Sequence, residues 1–571
     1  MTSSTTVRSA DFPARAGADR PGVVLAIVLS ATFMQLVDIS IVNTAIPSIQ
    51  RDLGASYAAI QLIVVVYQLA FACTLITAAR LGDIYGRRRL FLIGMVGFTL
   101  ASAVCGAAPN PTALVLARLV QGFMSGLMFP QVLAVIQVTF PPRERGRAFG
   151  ILGAVIGLAT ILGPLLGGLL IQLNLGGLDW RTIFYVNVPI GIVAVVTAFC
   201  FLGESRAPNA DRLDLPGVAL ITTGLLLLVY PLAEGRDRGW PAWLLAMLAL
   251  SVPVLAAFAA YEVIKTRRND SPLVWMDLFQ DRAFRTGLLL SLVFFLGLPT
   301  FFFTFSLYLQ IGQGYSALGA GLTGFCFAVG SGVASSRSDR MARRLGNDVL
   351  KVGCAVLAVG MALVLLTVHL AGTHPHGYQF IPALLVAGSG LGLFIAPVTN
   401  IILAGIHSRA AGSASGVLST AQQIGGALGV AVVGVLFFSL IGVNAAASSD
   451  KVTPELRREL VALRVPGPAV DGIVAGFSHC FIDRAHEKDP GKEPPSCRQV
   501  AAAGVPPEVG RRVAAVVQAR AAPRAMAETF STSFQEVLIY EIAIFLLAFG
   551  VVFALPRVQP AAMSHGGETV A

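Results

Sequence analysis

Three ionisable side chains stand inside stretches that are otherwise apolar: Asp38 in FMQLVDISIVNTAIP, Arg118 in LVLARLVQGF and Glu541 in LIYEIAIFLLAFG. A charge in hydrocarbon is expensive unless it is paired or hydrated, so each position asks for a functional explanation. Asp38 falls about eight residues before the far end of its apolar run and Arg118 about five residues after the start of its own. At ~1.5 Å of rise per residue the two reach nearly the same depth, within roughly 5 Å, and a direct or water-bridged pair is allowed. A carboxyl group exposed by turns to the two sides of a membrane is a proton carrier. Desolvation favours its neutral form and a neighbouring arginine its charged form. Glu541 lies at a similar depth and is a second candidate, set against an ordinary structural carboxylate.

The elements that must position these residues are transmembrane helices. Fourteen stretches are long and apolar enough to cross a bilayer, at about 22–46, 58–79, 90–109, 113–138, 148–173, 182–203, 215–233, 241–262, 286–308, 317–335, 352–371, 379–406, 412–440 and 534–555. They group as six, two and six. The expected organisation is an all-α polytopic membrane protein: a tail over 1–21, a six-helix bundle over 22–203, two central helices over 215–262, and a second six-helix bundle from 286–440 and 534–555. An outer loop over 441–533 and a tail over 556–571 complete it. The loop mixes Ala-rich, helix-compatible stretches with a Pro-rich turn near Asp489 to Pro495 and has few large apolar residues, so a small cap is expected there.

Composition agrees with this and excludes other classes. The 571 residues are 55% hydrophobic and only 13% charged, with a mean hydropathy of +0.75, against about 25% charged in soluble domains. The formal charge of +10 would suggest a nucleic-acid partner in a soluble chain. Here 24 of the 41 Lys and Arg fall in the termini and in alternate loops, and the short loops of the opposite side carry three, Arg51, Arg236 and Arg238. That is the positive-inside pattern, which places both termini in the cytoplasm of a plasma-membrane protein and removes the nucleic-acid reading. The polar N-terminus lacks a cleavable signal pattern. Cys480 and Cys497 share the outer loop, where a disulfide is permitted. The other five cysteines sit in spans as small packing residues.

Enzymatic and nucleotide-driven alternatives find little support. No P-loop pattern occurs, so no nucleotide is expected. His374, His376 and His479 have no evident partner by spacing, so no metal, no cofactor and no catalytic residue is expected. A membrane transferase or a sensor remains a more distant alternative.

Between the second and third spans lies AARLGDIYGRRRLFLIG (78–94). It reads as a tight turn with Gly82 and Gly86 supplying backbone freedom, Asp83 at the start of a helix, and Arg87, Arg88 and Arg89 at the inner surface. This segment resembles the G-x-L-x-D-x-x-G-R-R pattern of the Major Facilitator Superfamily, with Ala79 in place of its first Gly and Ile84 in place of a common basic residue. Arg118, Gln121, Gly122 and Gly126 resemble the superfamily's R-x-x-Q-G-x-x-x-G pattern. Gly163, Pro164, Gly167 and Gly168 resemble G-x-x-x-G-P-x-x-G-G, with Ala159 in place of the first Gly. With fourteen spans, WRTIFYVNVPIG (180–191) and AGSASGVLSTAQQIGGALGVAVVG (411–434), the chain is similar to the fourteen-helix drug:proton antiporter branch over about 20–440 and 530–556.

The resemblance implies a proton-coupled antiporter that exports small, mostly apolar organic molecules by alternating access. A proton-linked importer is the alternative within the fold. The resemblance implies that Asp83, with Gly86, Arg87 and Arg88, forms an inner gate latching the two halves, that Arg118 assists proton coupling, and that the Gly163–Gly168 element seals helix pairs in exporters. A monomer driven by the proton gradient is expected, with substrate, protons and lipid as its partners.

A transporter built of two pseudo-repeated halves binds near the midplane where they meet. The ninth span, SLVFFLGLPTFFFTFSLYLQ (291–310), is Phe-rich and interrupted by Pro299; Phe301 and Phe302 are cavity candidates, although one of Phe301 to Phe303 must face lipid. Gln35, Gln121, Gln310 and Gln422 offer neutral hydrogen-bonding groups to the same cavity. The interiors of the tenth and thirteenth spans hold no acid, which disfavours dicationic substrates.

Overall fold

In hydrocarbon every backbone N–H and C=O must find a partner within its own segment, which leaves helices as the solution for long apolar runs. The computed structural model, which describes residues 20–206, 213–268, 272–373, 375–403, 411–487, 493–498 and 507–556, contains helices and no strand among those residues. The first half comprises α1 (Pro21–Leu53), α2 (Tyr57–Tyr85), α3 (Arg87–Gly106), α4 (Pro111–Thr139), α5 (Pro142–Leu173) and α6 (Asn187–Phe201, entered through a turn at Thr182–Tyr185). A hairpin of α7 (Leu215–Arg238) and α8 (Ala242–Arg267) follows. The second half holds α9 (Arg282–Leu307), α10 (Ala317–Leu345), α11 (Asp348–Ala371), α12 (Ile381–Leu403) and α13 (Ala411–Ala462), then α14 (Gly467–His486), α15 (Pro507–Val516) and α16 (Ala522–Val552). Among the described residues thirteen helices are long and apolar enough to span a membrane, and the expected fifth span falls in α5, whose described apolar stretch is Leu162–Leu173.

Local sequence sets the helix ends. The side chains of Ser56, Asn110, Asp281 and Ser316 accept backbone N–H groups at the starts of α2, α4, α9 and α10, the usual cure for orphan donors. Pro111 occupies the first position of α4, where a missing N–H costs nothing. Gly86 alone separates α2 from α3 and adopts φ +111°, a conformation other residues avoid. The expected interruption of the ninth span by Pro299 does not occur. α9 runs through it to Leu307. The helix ends instead in a π-turn at Tyr308–Gly312.

Within the first half α4 packs on α2 and α3, α5 on α1, and α6 on α3; in the second half α12 packs on α10 and α11, α9 on α13, and α16 on α11. The halves meet along two seams, α5 against α10 and α2 against α13. The α7–α8 hairpin leans through α7 on α2 and α13. Both described chain ends lie at the face that carries the basic turns: Arg20 stacks over Phe201 at the end of α6, and the Pro556 carbonyl accepts from Asn347 in the α10–α11 turn. At the opposite face the seam is closed. Ser306 donates to the Asn43 carbonyl at 2.6 Å, and Gln310 to the Thr44 carbonyl at 3.0 Å.

The described parts of the segment expected as a loop over 441–533 are largely helical. α13 continues without a break past residue 440 to Ala462, and α16 already begins at Ala522. Charges such as Lys451, Glu455 and Arg457 end the apolar run but are good helix formers, so the helix outlives the hydropathy signal. The cap has a core of its own, smaller than that of a soluble domain, built from Leu456, Leu460, Val470, Ile473, Phe477 and Val513. Ion pairs hold its surface: Arg457–Asp471 at 2.6 Å, Arg520–Glu459 at 2.7 Å, Lys451–Glu528 and Arg524–Glu455.

Small residues make the seams possible. A methyl group on Gly168 would lie 2.6 Å from the Ala317 carbonyl oxygen and from the Leu318 Cα, both backbone atoms of α10 that cannot rotate away. Gly168→Val is expected to force α5 from α10 and to lower the unfolding temperature of the purified protein by several degrees. Gly324→Ala, a helical position with open space around it, is expected to change stability by no more than about 1 kcal/mol.

Candidate functional site: a buried ion pair in the first half

Asp38 and Arg118 are both fully buried, and Arg118 Nη1 lies 2.5 Å from Asp38 Oδ2. The second carboxylate oxygen accepts from Gln121 Nε2 at 2.8 Å and Asn187 Nδ2 at 3.1 Å. The guanidinium is equally well provided for. It donates to Gln121 Oε1 at 2.8 Å and to the Ile63 carbonyl at 3.3 Å, and lies over the Tyr67 ring at 4.1 Å. Asn187 is oriented in turn by Ser102 at 3.1 Å, which donates to the Phe184 carbonyl. α1, α2, α3, α4 and α6 therefore each contribute to one network, and every member of it belongs to the first half.

Close helix contact brings these groups within reach. A Cβ on Gly122 would collide with the backbone of Tyr67, and one on Gly126 with Thr74 and the Phe71 carbonyl. These glycines let α4 approach α2 closely enough for Arg118 to reach the Ile63 carbonyl. A buried ion pair repays its desolvation only where the remaining lone pairs and protons are also satisfied. Here Gln121 and Asn187 supply what the pair lacks. The donors of Asn187, Ser102 and the Ile63 carbonyl were not singled out from sequence; the available signal for Asn187 was an amide inside the apolar segment 182–203.

The other candidates are dispersed. Glu541 is fully buried on α16 among α9, α11 and α13, and neither carboxyl oxygen has a hydrogen-bond partner. It does not join Asp38. Asp83 is in the last turn of α2, not at a helix start, because α2 and α3 abut with only Gly86 between them. There it pairs with Arg87 at 2.8 Å, which offsets the unfavourable dipole of a helix C-terminus. Gly82 lies within α2 and serves close packing against Gln131. Arg88 donates to the Phe199 carbonyl at 2.6 Å, and its backbone N–H to Glu204 at 3.1 Å. This turn is thus tied within the first half; residues 404–410 lie outside the described residues.

Gly163 faces Ser40, Gly167 faces Ile41 and Thr44, and Gly168 faces α10, while the Pro164 carbonyl packs against Gly321. The expected sealing element therefore joins α1, α5 and α10 at one place. Phe301 and Phe303 are fully buried and Phe302 half-buried. Phe301 stacks with Phe305 and Phe327, so it is a packing residue of the second half and lines no described cavity. Gln121 is consumed by the ion pair, Gln35 is buried, Gln422 is half-buried and Gln310 closes the cap-side seam. Cys480 and Cys497 are disulfide-bonded. His376 caps the turn before α12, and His374 lies outside the described residues.

One buried cluster was missed because it sits where span meets loop. Asp214 accepts from Lys265 at 3.0 Å, Tyr261 at 3.0 Å and the Gly217 N–H at 3.0 Å, while Glu262 accepts the Val274 N–H at 2.9 Å. It fastens the base of the α7–α8 hairpin to the chain entering α9, and Arg80 of α2 grips the Pro272 carbonyl in the same stretch.

A polytopic helical bundle of two halves with a buried acid–base network in the first is the architecture of the molecule, and the sequence comparisons name the family. The model of the Major Facilitator Superfamily matches residues 28–430, so the chain belongs to that superfamily. It is 39% identical over 533 residues to the probable actinorhodin transporter of Streptomyces coelicolor, covering 93% of this chain and 91% of that one. It is 36% identical to a puromycin resistance protein of Streptomyces alboniger, covering 80% and 86%, and 35% identical to the tetracenomycin C resistance and export protein of Streptomyces glaucescens, covering 76% and 79%. Among solved structures, a bacterial homologue of the human lysosomal transporter Spinster, inward-facing and occupied, superposes with a TM-score of 0.58 at 16% identity, covering 95% of this chain and 97% of that one. That likeness concerns the fold alone.

Breaking one side of the pair should cost more than removing both. Arg118→Leu leaves Asp38 buried without its cation and is expected to lower unfolding stability by about 3–5 kcal/mol. Asp38→Asn added to Arg118→Leu should recover much of that loss. A double-mutant cycle on the purified protein measures the coupling, and additive effects would show that the pair does not act as a unit.

Proposed function

We propose that this protein exports small, mostly apolar organic molecules, such as an antibiotic or other secondary metabolite, across the cell membrane in exchange for protons. The observation that carries this reading is the buried Asp38–Arg118 pair with its Gln121 and Asn187 donors. Support for the direction of transport comes from relatives named for resistance and export and from the Gly163–Gly168 element on the α5–α10 seam.

Asp38 takes a proton from one side and, once neutral, no longer holds Arg118. The guanidinium then keeps only its bonds to Gln121 and the Ile63 carbonyl, loosening the tie of α1 to the other helices of the network. Return of the carboxylate to its pair releases the proton on the other side. The basic turns orient the protein with both termini in the cytoplasm. The Asp83–Arg87 turn works at the cytoplasmic gate, and Gln310 at the outer one. The protein acts as a monomer without cofactor, metal or nucleotide. One inward charge yields about 2.3 kcal/mol per 100 mV and each pH unit about 1.4 kcal/mol. Exchange of one proton thus sustains a gradient of a neutral compound on the order of a hundredfold to a thousandfold.

Asp38→Asn tests the coupling. In inverted membrane vesicles given an imposed pH gradient, wild type is expected to accumulate an apolar antibiotic and release protons, while Asp38→Asn falls to the level of empty vesicles. Equal gradient-driven accumulation by both overturns the reading.

A further inference from the structure

Two cavities adjoin beneath the cap. The first, of about 850 Å³, sits at the cap-side mouth of the seam and is bounded below by Pro47 and Gln310. The second, of about 1330 Å³, lies inside the cap between α14, α15 and the start of α16. Ile311, Gly314, Phe481, Arg484 and Met526 belong to both walls, so the partition between them is one side chain thick. That partition is the π-turn at the end of α9 and one face of α14. Gly314, at φ +70°, gives the turn a bend that other residues would strain to adopt.

The chemistry of the α14 face is specific. Phe477, Cys480, Phe481 and Arg484 recur at helical spacing and all line the cap cavity. The two rings stack at 6.0 Å. In the wall of the cap cavity Arg520 is neutralised by Glu459 and Arg524 by Glu455, and nearby Arg457 pairs with Asp471. Arg484 and Arg511 have no ion pair among the described residues, and Glu493 is the acid in the same wall without one. The cap cavity therefore offers an aromatic wall ending in an unmatched guanidinium. The Cys480–Cys497 disulfide fixes that wall.

We propose that the joined cavities form an exit vestibule that binds planar aromatic molecules bearing an acidic group. The ring lies along Phe477 and Phe481, and the carboxylate or phenolate meets Arg484, whose planar fork suits such an anion. The inference rests on the export reading above and adds to it a substrate class and a second station. The Ser306–Asn43 and Gln310–Thr44 bonds close the floor, so a molecule in the vestibule has left the membrane interior while the seam behind it is shut.

The test is equilibrium binding to the purified full-length protein in lipid nanodiscs, read by fluorescence polarisation. Fluorescein serves as the aromatic anion and rhodamine 6G as a cation with a similar ring system. Wild type is expected to bind fluorescein more tightly than rhodamine 6G. Arg484→Glu should raise the fluorescein Kd about tenfold, and Arg484→Lys by less than about threefold, as fits loss and retention of one charge-assisted contact. Gly324→Ala, at a helical position that lines neither cavity, should leave it within about twofold of wild type. Because Arg484 is exposed on the cap, Arg484→Glu is expected to keep the wild-type unfolding temperature. A fluorescein Kd unchanged in Arg484→Glu, or equal weakening of both dyes, overturns the vestibule. Failure of the export reading is separately visible as wild-type vesicles that do not accumulate any compound under a pH gradient.

Discussion

A carboxylate and a guanidinium fixed in the membrane interior impose most of what surrounds them. Each ion alone would carry a desolvation penalty of several kcal/mol, and their mutual attraction offsets that only with near-ideal geometry and every remaining hydrogen-bond position filled. Asp38 and Arg118 meet this condition through Gln121, Asn187, the Ile63 carbonyl and the Tyr67 face. The requirement explains the small residues at 122 and 126, since α4 must lie almost against α2 for those donors and acceptors to converge. It also ties five helices of one half into a single network.

The second half is built on a different principle. It contains no comparable polar network among the described residues. Its interior is a chain of aromatic contacts, Phe294 on Phe394, Phe301 on Phe305 and Tyr308 on Phe534, packed without charges that need mates. Glu541 is the exception, buried there with neither oxygen partnered. The two halves touch through glycines and backbone at the α5–α10 seam, along α2–α13, and through neutral side chains bonded to backbone carbonyls at α1–α9. Contacts of that kind can part and re-form without stranding a charge, as surfaces that must slide or separate require.

Much of this was legible in the sequence because membrane insertion couples hydropathy directly to structure. Helix identity and approximate depth followed from apolar run length, and rise per residue put Asp38 and Arg118 at a similar depth that allowed a pair. What escaped was set by tertiary geometry. Asn187 became a carboxylate partner only because α6 crosses near α1, and Asp83 changed from a helix start to a helix end because the intervening turn is one residue long. Phe301 resembled a cavity residue by type, but its neighbours Phe305 and Phe327 fill the space. Asp214, Glu262 and Lys265 looked like loop charges at a span edge, and burial converts them into a fastening for the hairpin.

The continuation of α13 beyond the bilayer has a mechanical consequence. This helix is 52 residues long, and the part beyond residue 440 projects roughly 33 Å at 1.5 Å per residue. Because the rod is continuous with a helix of the second half, the cap cannot stay still while that half tilts. A rotation of roughly 10° at its base would sweep the tip through roughly 6 Å. The cap is thus a lever arm whose position reports, at the protein's outer tip, the angle between halves buried in lipid.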